Sequence, residues 1–280
     1  MRAFRHLVLL SLLLPALVLA DDTTATNFSR IDSDELNQPR ALQVAIVSYT
    51  AKDGADDLRV DLVGAIHVGD ADYYAELNQR FENYESVLYE LVAPEGTVIT
   101  PETESKSAIS SLQRGIRTML GLAYQLEEVN YMQPNFVHAD LTPDEMSASM
   151  DERGESLYSY FWQAFFAAHH EMNRDPLGLW GIKSMSAALN TDSDNLLKVM
   201  LAHDFADLDR FNGMFGEDSA SAIIGARNER AIEVLRGELD DGKRSIAIFY
   251  GAAHMRDLEN RLLELGFSTG ETTWVDAWVF

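Results

Sequence analysis

Val63-Gly64-Ala65-Ile66-His67-Val68-Gly69-Asp70 and Phe249-Tyr250-Gly251-Ala252-Ala253-His254 decide how this chain is read. Each G-A-x-H follows an apolar run of strand character, Leu58 to Val63 in one case and Ser245 to Tyr250 in the other, and each precedes a segment patterned as a helix. Strand, tight glycine turn, histidine and helix is the unit with which α/β proteins place a side chain at the carboxyl edge of a sheet, where ligands bind. The duplication predicts that His67 and His254 meet at one such edge.

Working outward, Ala41 to Tyr49 reads as a strand, and the turn signals from Lys52 to Asp57 make it one arm of a hairpin with Leu58 to Val63. Beyond His67, Asp70 stands where a helix cap is expected, ahead of Tyr73, Tyr74, Leu77 and Phe81 at helical spacing. Ser86 to Leu91 returns as a strand that carries Glu90 near its end. An ionised carboxylate in so apolar a run costs several kcal/mol unless a cation, a metal or a donor meets it.

From about residue 101 to 225 the pattern is helical. Ser107 to Leu126, the aromatic stretch Leu157 to Met172 and Leu196 to Phe211 all read as helices, and Thr142-Pro143-Asp144-Glu145 has the form of a capping box. Ala222 to Leu239 continues the series until Gly242, and Met255 to Leu265 is a further helix closed by Gly266 before a last strand, Thr273 to Phe280. The prediction is an α/β fold, with α+β as the alternative. Its central mixed sheet draws on both chain ends, with a helical insertion at about 101–225, in a single domain spanning 41–280.

Residues 1–20 have the grammar of an export signal: Arg2, Arg5 and His6, then an apolar run from Leu7 to Ala20, then a small-residue cleavage site before Asp21. That run is short for a membrane span, so no stable membrane anchor is expected after cleavage, and the expected location is the bacterial periplasm or the medium. Residues 21–40 are polar and read as a flexible leader. The chain has no cysteine, which removes disulfides, thiolate zinc sites and cysteine nucleophiles together. Its formal charge is −23, and loss of Arg2 and Arg5 would take it to −25, which opposes binding to nucleic acid. No G-x-S-x-G elbow, H-E-x-x-H, P-loop or G-x-G-x-x-G fingerprint occurs. The sequence assigns no oligomeric state.

His67 and His254 read either as ordinary turn residues whose rings bond backbone carbonyls or, given their duplicated context and the nearby Glu90, as a shared metal site. Two histidines on strand-edge turns and a carboxylate at a neighbouring strand end suit zinc, manganese, cobalt or iron. Glu90 is then a third ligand beside His67 and His254, or the group that takes a proton from an attacking water. His138 is a weaker candidate, with Asp140 two residues on to orient it. His169, His170 and His203 read as ordinary helix residues. The alternatives for the same histidines are a metal or haem held without turnover. A third reading is an interaction module built on Phe161, Trp162, Phe165 and Phe166.

Four strings in order, V-G-A-I-H-V-G-D at 63–70, Y-E-L at 89–91, R-N-E-R-A at 227–231 and F-Y-G-A-A-H at 249–254, resemble the TraB/GumN/Tiki group. The resemblance runs from about residue 41 to the end. It implies a site made of His67, Glu90 and His254 with Arg227 and Asn228 in support, and a peptide or small-molecule substrate. On that reading Arg227 holds Glu90 or stabilises an oxyanion, the alternative being a helix-surface residue beside Glu233 or Asp240, and Asn228 is the weaker of the two. Animal Tiki members are described as proteases that use manganese or cobalt, and the wider superfamily includes erythromycin-esterase-like and haem-binding relatives.

Overall fold

The apolar runs beside the two G-A-x-H turns become adjacent parallel strands. In the computed structural model, which describes residues 26–51, 57–94, 96–97, 122–155, 193–206 and 221–280, β3 (Arg59–Ala65) and β8 (Ser245–Gly251) pair with Ala65 opposite Gly251. That register brings both turns to one sheet edge. On the far side of β8 lies β5 (Ser86–Tyr89), also parallel, so the residue after β5, Glu90, emerges beside them.

Around this parallel centre stand the remaining strands. Earlier in the chain are β1 (Ser29–Ser33) and β2 (Pro39–Ala51); later come β4 (Val68–Gly69), β6 (Ala123–Tyr124), β7 (Phe136–His138) and β9 (Phe267–Val279). Of these, β1, β2 and β9 pair antiparallel and β7 pairs parallel with β5. Among the described residues seven strands form one mixed sheet in the order β1-β2-β3-β8-β5-β7, with β9 on the other flank of β2, while β4 and β6 make a separate two-stranded pair. The long β2 is antiparallel to β1, β3 and β9, which makes it the seam between the two chain ends. The predicted α/β architecture with a mixed sheet from both ends is therefore what the chain adopts.

Helices cover both faces, which is why the central strands read as unbroken apolar runs. Alternate residues of β8 serve opposite layers. Ala247 and Phe249 pack with Tyr73, Tyr74, Leu77 and Phe81 of α1 (Ala71–Phe81). Ile246, Ile248 and Tyr250 pack with Leu235 of α5 (Arg227–Asp240) and Leu258 and Leu262 of α6 (Met255–Glu264). Gly242 and Gly266 follow these two helices with φ of 88° and 90°, a left-handed backbone that glycine adopts without cost and that ends each helix where the sequence places the stop. The insertion contributes α2 (Gln125–Glu128), α3 (Pro143–Glu152) and α4 (Ser193–Ala206). The capping box of α3 is present in full, Thr142 and Glu145 each satisfying the other's backbone N–H.

Several expectations need correction. Within the supposed flexible leader, Ser29–Ser33 is strand β1, and Phe28 is buried against the α5–α6 layer; a polar composition suits an edge strand with one face in water. The insertion is not purely helical, since β7 adds a parallel edge strand beside β5. The helix expected to reach Leu126 is instead β6 followed by the short α2, and residues 107–121 lie outside the described residues. Asp70 occupies the cap position of α1 without a side-chain cap bond. Its carboxylate accepts from Lys198 Nζ (2.9 Å) and from the Val279 amide (2.7 Å), tying α4 and the end of β9 together. Residues 1–20 and 157–172 also lie outside the described residues. Among the described residues no helix is long and apolar enough to cross a membrane.

Ile248 sits fully buried at the middle of β8. Ile248→Ala should lower the free energy of unfolding by about 2–5 kcal/mol, read from urea denaturation with an unchanged m-value.

Candidate functional site

Three strand ends deliver the site. His67 follows β3 by two residues, Glu90 follows β5 directly, and His254 closes a single 3-10 turn, Ala252–His254, after β8. Gly251 lies between them. A methyl group built on its Cα would sit 3.2 Å from Glu90 Oε2, 3.6 Å from His67 Nε2 and 3.8 Å from His254 Cδ2. The three predicted groups therefore surround one point, and that point exists because position 251 has no side chain. The Gly251 backbone is at φ −50° and ψ 140°, a conformation open to any L-residue, so space and not backbone freedom accounts for glycine here.

Glu90 has the partners that its position in an apolar strand end demands. Oε1 accepts from Arg227 Nη2 at 2.7 Å and Oε2 from the Gly251 N–H at 2.6 Å. Burial alone would raise this carboxyl, but Arg227, then His254, His67 and the Gly251 N–H outweigh it and hold it well below the usual carboxylate range. Arg227 is not a surface residue paired with Glu233 or Asp240. Its Nε and Nη2 fork onto Asp140, at 2.9 Å and 2.5 Å, while Nη2 also reaches Glu90. Burial opposes its charge, yet Glu90 and Asp140 more than compensate and raise its pKa. A π-helical turn, Ala222–Ala226, immediately precedes Arg227, a local widening often found at functional sites.

Both imidazoles are gripped in the same manner. Asn228 donates from Nδ2 to the His254 carbonyl (3.2 Å) and to Asp257 Oδ2 (2.9 Å), which leaves its Oδ1 facing His254 Nδ1 at 2.7 Å. Asp257 is held in turn by Arg261 Nε at 2.7 Å. Because neither acceptor of Asn228 has a proton to give, its amide cannot be turned over, and His254 must carry its proton on Nδ1. The Nε2 lone pair then faces Glu90 Oε1 at 3.6 Å. On the other side, the Gln125 amide N–H donates to the His67 carbonyl (3.0 Å), and Gln125 Oε1 faces His67 Nδ1, also at 3.0 Å. Gln125 Nε2 donates to the Tyr131 hydroxyl at 2.8 Å.

Sequence reasoning missed Gln125, Tyr131, Asp257 and the true role of Asp140. Asp140 does not orient His138: its carboxylate is occupied by Arg227 and the Leu141 amide. His138 lies on β7 and bonds the Leu91 carbonyl at 2.7 Å, which makes it a strand-edge tie outside the site. His203 is exposed on α4; His169 and His170 lie outside the described residues. His254 is 4% exposed and His67 is open to solvent, so Glu90 and His254 form the floor and His67 the rim.

The donor types fit a divalent metal: two imidazoles and an ionised carboxylate around one point. Among the described residues, however, no group of three or more His, Cys, Asp or Glu is arranged to hold a metal as it stands. No family model matches this chain, and no curated protein or solved structure matches it.

Two outcomes follow for the protein without added metal. Burial first, with smaller opposing contributions from Glu90 and Asp140, lowers the His254 pKa from 6.5 to about 4. The unfolded chain therefore binds the extra proton over this window and the folded chain does not. The stability is full above pH 6.5 and is lost as pH falls toward 4. Glu90, held low, adds a loss of the same sign below the unfolded carboxyl range, ~4.3. Urea midpoints should fall across this window, and His254→Gln should flatten the part of the fall that lies above it. Separately, Arg227→Met leaves Glu90 and Asp140 facing each other without a cation and should cost about 3–5 kcal/mol, measured by the same denaturation.

Proposed function

We propose that this chain is an exported, divalent-metal-dependent hydrolase of the TraB/GumN/Tiki type, acting on peptide bonds or on small carbonyl substrates. The observation that carries the metal reading is the meeting of His254 Nε2 and Glu90 Oε1 at 3.6 Å. With the proton fixed on Nδ1 by Asn228, a lone pair faces an ionised oxygen, and two acceptors at that distance repel. A proton would reconcile them, but burial disfavours a charged His254. A metal cation reconciles them without protonation.

Charge balance supports the same reading. Glu90 and Asp140 are two carboxylates against the one guanidinium of Arg227, so the cluster keeps one net negative charge in a place where an unpaired charge is costly. His67, His254 and Glu90 are the residues that would hold the ion, and exposed His67 is the one with freedom to close on it. A divalent metal there supplies Lewis acidity for a carbonyl and acidity for a water.

The remaining groups have roles of their own. Glu90, already accepting from Arg227 and Gly251 and held far below its ordinary pKa, is a poor proton acceptor, so it reads as a ligand and not as a general base. In the guanidinium plane, Arg227 Nε and one N–H of Nη2 serve Asp140, and the other N–H of Nη2 serves Glu90. One N–H of Nη1 runs parallel to that last bond, toward the Glu90 side, where it can donate to an oxyanion forming on the substrate. The choice of peptide bonds rests on the family resemblance, and export on the pattern of residues 1–20.

Titration with Mn2+, Co2+ and Zn2+ should reveal about one site per chain, lost in His67→Ala and in His254→Ala. Gly251→Ala fills the shared point with a methyl and should also abolish binding while changing stability by only about 1 kcal/mol. Metal retained in all three variants would sink the reading. Hydrolysis of a peptide and ester library should disappear with chelator and return with the ion; a protein that binds metal and cleaves nothing is a binding protein instead.

A further inference from the structure

Besides their exposure, the two histidines differ in what stands behind each carboxamide. Asn228 is fixed, because both hydrogens of its amide go to acceptors that cannot donate, the His254 carbonyl and the Asp257 carboxylate. Gln125 has no such restraint. Its amide nitrogen meets the Tyr131 hydroxyl, a group that accepts and donates with equal ease. In the arrangement described above the hydroxyl only accepts, and among the described residues its own proton has no acceptor. Tyr131 is buried, and burial first, with Glu90 adding to it, raises its pKa, so the phenol keeps that proton.

A second arrangement of the same three side chains therefore gives that proton an acceptor. Turning the Gln125 amide by half a rotation lets Tyr131 O–H donate to Oε1 and lets Nε2–H donate to His67 Nδ1. The imidazole then gives up its Nδ1 proton and takes one on Nε2, through the solvent that His67 already faces. The proton count of the protein is unchanged. In the first arrangement His67 offers a lone pair to the point beside Gly251; in the second it offers an N–H to the same place, where the ionised Glu90 oxygen lies.

We propose that Tyr131, Gln125 and His67 form a reversible relay, with Gln125 and Tyr131 as positioning residues, that exchanges His67 between a lone-pair form and an N–H form while Asn228 and Asp257 hold His254 in one form. The assignment of the lone-pair form to metal binding rests on the metal reading of the site; the exchange itself does not. Without metal, the N–H form is favoured by the charge on Glu90. An ion that needs the Nε2 lone pair draws His67 into the other form, so His67 is the adjustable ligand and His254 the permanent one.

The test is ring-nitrogen NMR on the metal-free protein labelled with 15N-histidine, each signal assigned by its absence in His67→Gln or His254→Gln. His254 should show a single Nδ1–H pattern and His67 intermediate shifts at both nitrogens. Gln125→Glu removes the only amide donor of the relay, so the carboxylate accepts from both His67 Nδ1–H and Tyr131 O–H. It should convert His67 to Nδ1–H alone and tighten Zn2+ binding, read by calorimetry. Gln125→Leu should weaken Zn2+ by about 10–100-fold with the fold intact by circular dichroism. A single His67 tautomer in the unaltered protein, or a Gln125→Glu variant whose His67 shifts are unchanged, overturns the relay. If the unaltered protein binds no metal but shows the mixed His67 pattern, the relay stands and the metal reading falls.

Discussion

The ion cluster of Glu90, Arg227 and Asp140 is the interaction on which the rest of the site depends. It joins the end of β5, the start of α5 and the loop after β7, three pieces far apart in sequence, through one guanidinium with 11% side-chain exposure and a carboxylate with none. Buried charge pairs of this kind are a weak source of net stability, because desolvation offsets most of their attraction. Their effect is on geometry. A planar fork can satisfy two carboxylates only when both lie in its plane, so the cluster fixes where Glu90 points, and with it the side of Gly251 that the carboxylate occupies.

The sheet explains why these groups meet at all. Because β3, β8 and β5 are parallel neighbours in that order, their carboxyl ends form one edge, and whatever follows each strand shares it. The chain passes from β3 to β5 around the position that β8 later fills, so the last parallel strand in sequence takes the central place in space. Ligands in open α/β sheets bind at such reversals of strand order. The duplicated G-A-x-H is thus a consequence of two equivalent strand ends, one on the central strand and one beside it.

What could be read from the sequence follows the same division. Helix stops at Gly242 and Gly266 and the Thr142–Glu145 box are set by local chemistry and stand where the pattern places them, whereas strand ends depend on pairing: β9 begins at Phe267 and not at Thr273, because its partner β2 runs on to Ala51. Glu90 was legible as a group needing a partner, since a carboxylate in an apolar run is costly anywhere. The identity of partners across the edge was not legible. Asp140 serves Arg227 instead of the nearer His138, and Asp70 serves Lys198 and the last strand instead of its own helix, because a carboxylate goes to the best donor that the fold brings within reach. Gln125 lay hidden in a stretch patterned as a helix and acts 58 residues away from its partner, and β1 was masked by the polar composition that an edge strand tolerates.

One choice in the site has a reason that charge alone supplies. Histidines that bind metals commonly rest on a carboxylate, which raises the basicity of the ring, yet both imidazoles here rest on carboxamides. With Glu90 and Asp140 already exceeding Arg227 by one negative charge, a carboxylate behind each ring would bring the cluster to three, most of it buried. An amide oxygen accepts from a ring N–H without adding charge. Asp257 does stand behind Asn228, but it is one amide further from the centre and carries its own cation, Arg261. The neutral clamps thus leave the excess charge concentrated on the Glu90 oxygens, beside the point that all three groups share.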